Sequence, residues 1–190
     1  MFARLHDRPE ELASRLLHRF GSIARIVQAS EPELRLAAAS GEQWVEALLV
    51  VRQLMHDGLR ETLVRTRIGE DRTALYSYLM ITMRNLGEER VLAIFADADG
   101  YVISEEIIAE GSALQVMLTP RRIFGRALNL DARRILLAHN HPSGCANPST
   151  FDVNHTRRLS RQAGELGLQL VDHLVVGFHG VTSMKDRGFF

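Results

Sequence analysis

The sequence predicts an α/β protein: a larger domain with a sheet of mixed strand direction, preceded by a small all-helical region. Three observations lead there. Apolar residues recur at spacings of three and four up to about residue 86. From Arg90 the pattern changes to short apolar runs that alternate with helix-like stretches. The turn Asp97-Ala98-Asp99-Gly100 joins the first two runs as a hairpin, so at least that pair is antiparallel. The expected division is 1–66 for the helical region and 67–190 for the α/β domain.

The elements follow in order. Pro9-Glu10-Glu11 opens a helix carrying Leu12, Leu16 and Leu17, with proline at a tolerated first-turn position. Phe20-Gly21-Ser22 breaks it, and Ser22 starts a short second helix to about Ala29. Ser30-Glu31-Pro32-Glu33 starts a third. A longer helix runs from about Gly41 past Met55, with Trp44, Leu48, Val51 and Met55 on one stripe. Leu59 to Gly69 reads as a link, and Thr73 to Leu86 as a helix. Val91 to Phe95 is a buried strand, and Tyr101 to Ala109 returns beside it. Thr119-Pro120 starts a helix to about Leu130, with threonine as N-cap. Ile135 to His139 is a strand, Asp152 to about Gly164 or Gly167 a helix, Leu168 to Val176 a strand and Val181 to Met184 a last one.

Bulk properties exclude several classes. Lys plus Arg and Asp plus Glu are 23 each in 190 residues, so no net field draws nucleic acid or a membrane. One cysteine excludes an internal disulfide and suits a reducing cytoplasm, the expected location. No apolar stretch approaches the ~20 residues that cross a bilayer. Met1 to Asp7 lacks the apolar core of a secretory signal.

The chemistry concentrates in His139-Asn140-His141-Pro142-Ser143-Gly144-Cys145-Ala146-Asn147-Pro148-Ser149-Thr150-Phe151-Asp152. In an extended segment, residues two apart share a face, so both imidazoles reach one point. With Asp152 they make an N/N/O set that suits Zn²⁺ and leaves a fourth position for water. Ser149 and Asp152 also read as a helix start, with the acid where a capping box places its carboxylate. The two readings are compatible, since a cap can hold Asp152 rigidly.

This segment resembles the JAMM (MPN) metalloprotease signature: His-x-His-Pro, six residues, then Ser-x-x-Asp. Its HNHPSG core is similar to the RadC-type bacterial branch. The resemblance extends through Leu92–Gly111, through Asp172-His173 to Gly188, and more weakly into the helical region. It implies the cytidine-deaminase-like layered fold of MPN domains, and hydrolysis of a peptide or isopeptide bond with Zn²⁺ as cofactor. It also implies metal ligands His139, His141 and Asp152, Ser149 as oxyanion donor, and an upstream glutamate as general base. That glutamate is expected at Glu106, five residues before Gly111; Glu110 shares its parity and stays a rival, while Glu105 faces the other way. Asp172 is a candidate to orient a ligand imidazole, against a packing role. Asn140 points away from the histidines and is expected to hold the loop by hydrogen bonds. Cys145 is expected in the loop without metal contact. His6, His18, His56, His155 and His179 read as surface or packing residues, and Arg121-Arg122 as a solvated face.

A competing reading is a DNA-associated accessory protein of repair or recombination. The RadC-type helix-hairpin-helix would contact DNA backbone through a Gly-apolar-Gly turn. Here that stretch is Leu36-Ala37-Ala38-Ala39-Ser40-Gly41, with one glycine. A metal-stabilised scaffold without turnover is a third reading. The expected partners are a peptide or protein substrate, with DNA weakly supported, no membrane, and a homo-oligomer allowed.

Overall fold

The computed structural model describes residues 8–38, 43–84, 86–111 and 119–190. Met1–Asp7 and Ala39–Gly41 of the hairpin stretch lie outside them. The chain forms two compact units, 1–58 and 59–190. The division falls upstream of the expected 66/67 boundary.

The first unit is helical. α1 (Pro9–Phe20) has proline in its first turn and ends at Gly21, whose φ of 78° closes the helix in the left-handed region. α2 (Ile23–Gln28) is capped by the Ser22 side chain, which accepts from Arg25 N. α3 (Glu31–Ala38) begins with a capping box in which Ser30 and Glu33 bond reciprocally. α4 (Gln43–Arg65) is longer than expected and absorbs much of the presumed link after Leu59. Leu12, Leu16, Ile26, Leu34, Trp44 and Leu48 form this unit's core.

The second unit has three layers. α5 (Arg72–Met83) is capped by Asp71 and precedes β1 (Glu89–Ala96) and β2 (Val102–Gly111). Then come α6 (Pro120–Asn129), β3 (Arg134–Asn140), α7 (Thr150–Glu165), β4 (Gln169–Val176) and β5 (Val181–Ser183). Thr119 occupies the N-cap position of α6, but its side chain makes no capping bond. The sheet order is β2-β1-β3-β4-β5, with β3–β4 parallel and every other pair antiparallel. The expected Asp97–Gly100 hairpin is present: Asp97 Oδ1 accepts from Gly100 N and Tyr101 N, and Gly100 takes a φ of 97°.

β1 and β3 are apolar on both faces because helices cover both faces. Val91, Ala93, Phe95, Ile135 and Leu137 pack against Ile123, Phe124 and Ala127 of α6 and Leu159 and Ala163 of α7. Leu92, Ile94, Leu136 and Ala138 pack against Leu75, Tyr78, Leu79 and Met83 of α5. This alternation decides which polar residues meet at the strand ends. His139 pairs with Val91 and continues the α6/α7 face, and Asn140 continues the α5 face.

Candidate metal centre

The two histidines leave β3 in extended register. His141 N donates to Val176 O at 3.1 Å, which prolongs the strand pattern by one residue and keeps His141 on the face of His139. A turn follows, with Gly144 N donating to His141 O at 2.8 Å. Gly144 has a φ of 78°, and the Phe178 ring lies 2.1 Å from where a Cβ would stand, so only glycine fits. Phe178 N donates to Gly144 O at 2.8 Å and ties this turn to the one after β4. The turn aims the Cys145 carbonyl at His141 Nδ1, 2.8 Å away. The chain then reaches Ser149 and the capping box of α7. Ser149 Oγ accepts from Asp152 N at 3.2 Å, while Asp152 Oδ2 accepts from Ser149 N at 2.7 Å and from Ser149 Oγ at 2.6 Å. One carboxylate thus caps the helix and stands beside the two imidazoles, where it could also serve as a third donor.

The donors converge. His139 Nε2 lies 3.0 Å from His141 Nε2 and 3.6 Å from Asp152 Oδ1, and His141 Nε2 lies 3.5 Å from Asp152 Oδ2. Donors ~2.0–2.1 Å from one ion at tetrahedral angles would stand ~3.3 Å apart, so the three fit a single ion. The hydrogen bonds point the same way. A carbonyl only accepts, so in the neutral ring His141 Nδ1 carries the hydrogen and Nε2 turns its lone pair inward. Lone pairs facing each other at this distance need a cation or a proton between them. Among the described residues one more group joins: a Glu89 oxygen completes a set of four ligand atoms within 4.8 Å of one another.

Local electrostatics agree. Burial pushes His139 down to about 4, leaving it a neutral imidazole that could ligate a metal. The Asp152 hydrogen bond raises His141 against its own burial. Burial pushes the Asp152 carboxyl up, but the two imidazoles and Ser149 more than offset that and hold it well below the usual carboxylate range. Glu89 is raised, chiefly by burial.

The structure brings His139, His141, Asp152 and Ser149 together but does not bring Glu106 to them. Glu106 does share the site-bearing face, with Ile108, yet it sits on the edge strand opposite Ala93. Its carboxylate accepts from Arg126 Nε at 2.7 and 2.9 Å and from Ser104 Oγ at 3.0 Å. The Arg126 guanidinium holds it below the usual range, the opposite of what a general base requires. It lines a separate cleft of about 530 Å³ with Arg121, Arg122 and Arg126; Arg121 and Arg122 are exposed, as expected of a solvated face. Glu105 is bound by Arg60 and Tyr78, and Glu110 by Arg90. All three glutamates of that strand are therefore spoken for by cations.

Glu89 is the residue that sequence reasoning missed. It begins β1 two positions before Val91, the partner of His139, so that pairing together with period-two alternation aims it at the histidines. Asp172 does not contact a ligand imidazole: it accepts from Ser183 Oγ at 2.6 Å, His173 N at 2.7 Å and Lys185 N at 3.2 Å, a packing and turn role. Its neighbour His173 makes that contact instead, with Nε2 2.9 Å from His139 Nδ1. Asn140 holds the start of β1 rather than the following loop. Cys145 is exposed and outside the donor group; its contribution is its backbone carbonyl.

A mixed sheet between helical layers, with two imidazoles and two carboxylates converging at the ends of its inner strands, could hold a metal ion and fits the JAB/MPN class of domains, which points to a metal-dependent hydrolase. Comparison with known proteins narrows this. The model of the RadC-like JAB domain matches residues 70–189. A UPF0758 protein of Vibrio vulnificus (strain YJ016) is 35% identical over 179 residues, which is 94% of this chain and 80% of that protein. One from Cupriavidus pinatubonensis is 34% identical over 178 residues (94% and 78%), and one from Rhodobacter capsulatus 34% over 177 (93% and 83%). The chain belongs to the RadC-like JAB-domain family. No helix among the described residues is long and apolar enough to cross a membrane.

Proposed function

We propose that this chain is a zinc-dependent peptidase that cleaves peptide or isopeptide bonds, with Glu89 as general base. One observation carries the reading: a carboxylate lies at the same point as two imidazoles and Asp152, within 4.8 Å. Nitrogen donors favour zinc over magnesium and calcium, which prefer all-oxygen sites. When bound, such an ion polarises a carbonyl and acidifies a water.

The chain supplies the rest. His139, His141 and Asp152 hold the ion, oriented by His173, Cys145 O and Ser149 respectively. Glu89 takes the proton from the attacking water and returns it to the leaving amine. Its burial-raised carboxyl suits a group that must hold a proton transiently. Ser149 Oγ–H, resting on Asp152, turns to meet the charge that builds on the carbonyl oxygen.

The test begins with metal analysis of the purified protein, then peptide and isopeptide substrates with zinc restored after chelation. Glu89→Gln is expected to keep zinc and lose turnover, and Asp152→Ala to lose zinc. Full turnover in Glu89→Gln, or stoichiometric zinc in Asp152→Ala, sinks the assignment.

A further inference from the structure

We propose that Met184, Thr156 and His173 form a buried relay that dictates which nitrogen of His139 faces the metal. Met184 lies just past β5, Thr156 on α7 and His173 on β4, and all are buried: Met184 and Thr156 are 0% exposed and His173 2%. Thr156 Oγ1 is 3.7 Å from Met184 Sδ and 2.6 Å from His173 Nδ1. His173 Nε2 is 2.9 Å from His139 Nδ1.

The direction of every hydrogen follows from the far end. A thioether has no hydrogen to give, so the Thr156 hydroxyl donates to Met184 Sδ. Thr156 Oγ1 then accepts from His173 Nδ1–H. A neutral imidazole has one N–H, so His173 Nε2 is an acceptor and takes the hydrogen of His139 Nδ1. His139 Nε2 is left with its lone pair, pointing into the donor group. The reverse polarity would place a hydrogen on His139 Nε2, where the metal must bind. It would also leave Thr156 donating to His173, with Met184 Sδ unpaired. The two ligand imidazoles are thus set by two different devices: His141 by a carbonyl, His139 by a relay of neutral groups that adds no charge to the site.

This rests on the metal-binding reading above, and its test is independent of turnover. Long-range ¹H–¹⁵N spectra of the metal-free wild type distinguish protonated from unprotonated ring nitrogens. His139 and His173 are both expected to carry hydrogen on Nδ1. Hydrogen on His139 Nε2 in a neutral ring overturns the proposal, whatever any variant does. Thr156→Val removes the hydroxyl at nearly constant shape and is expected to lower Zn²⁺ affinity, by chelator competition, about 10- to 100-fold. Thr156→Ser is expected to restore it. Unchanged affinity in a folded Thr156→Val also overturns the relay. If the wild type binds no zinc at all, the metal-binding reading fails, while the tautomer measurement still decides the relay.

Discussion

Asn140 holds Glu89 in place without touching its side chain. From the opposite face of β3, its Oδ1 accepts from Arg90 N at 2.8 Å and its Nδ2 donates to Glu88 O at 3.0 Å, one bond on either side of Glu89. The asparagine between the two histidines therefore positions the fourth donor. Asn140→Ala leaves a backbone N–H and a C=O without partners, each costing about 1–3 kcal/mol where water cannot replace the bond. The expected outcome is a lower denaturation midpoint and reduced kcat, with zinc affinity changing less than in Asp152→Ala. Titration of urea against zinc-loaded and stripped protein measures both.

Glu106 and Glu89 make opposite predictions. Glu106 pairs with Arg126, and their side chains are 30% and 42% exposed. Glu106→Gln is expected to cost at most about 1 kcal/mol, as for a solvent-screened pair, and to leave turnover within a few-fold. A hundredfold loss of kcat in Glu106→Gln would return the base to that position.

Ser149 carries a structural and a chemical duty that separate by magnitude. Ser149→Ala removes an N-cap, worth about 1 kcal/mol of stability. If it also meets the oxyanion, kcat falls about 100- to 1000-fold. A stability loss with unchanged kcat would leave Ser149 as a cap alone.

Gly144→Ala is expected to be among the most damaging small substitutions. The residue sits at a φ of 78°, and an added Cβ would stand 2.1 Å from the Phe178 ring. Left-handed strain alone costs about 1–3 kcal/mol, before the ring is displaced. Since this turn aims Cys145 O at His141, zinc affinity should fall along with thermal stability.

Stability of the metal-free protein should fall with acid in a defined window. Burial lowers His139 to about 4 and lowers His173 as well. An unfolded histidine takes its proton near ~6.5. Below that pH the unfolded chain gains protons that the folded chain refuses, so stability declines from about 6.5 toward about 4. His141 works against this: its raised value contributes stability below ~6.5 that is lost as pH rises through its folded value. Glu89, raised by burial, takes up its proton first in the folded state and acts in the same direction as His141; the two fully buried rings, His139 and His173, are expected to dominate. Urea midpoints that hold level between pH 6.5 and pH 4 would contradict the two buried neutral rings.

Much of the fold was legible because each layer has its own period. The hairpin turn, both strands of the sheet centre and the capping box of α7 stand where residue pattern puts them. The convergence of His139, His141 and Asp152 was legible because HxH in a strand and an acid in a helical first turn are local signals. The carboxylate we propose as base was not, because three glutamates of one strand invited attention while Glu89 stood at the start of another. Only the pairing of Val91 with His139 reveals that Glu89 faces the site. Arginines 60, 90 and 126, far along the chain from their partners, removed the competitors. His173 was overlooked for a similar reason: its neighbour Asp172 has the charge usually sought beside a zinc ligand, while strand parity turns the neutral ring toward His139.

The antiparallel pairing of β1 with β3 has a consequence for how the chain finds its alignment. Residues 91–96 are oily toward both helical layers, so sliding one strand a notch past the other forfeits little burial. What such a slip does forfeit lies at the tips: the grip of Asn140 on Arg90 and Glu88, and the meeting of Glu89 with the imidazoles. The groups gathered at the candidate site double as the keys that select one registration from its near-degenerate neighbours. Disabling several of them together is expected to yield a protein that still collapses but no longer settles on a single sheet.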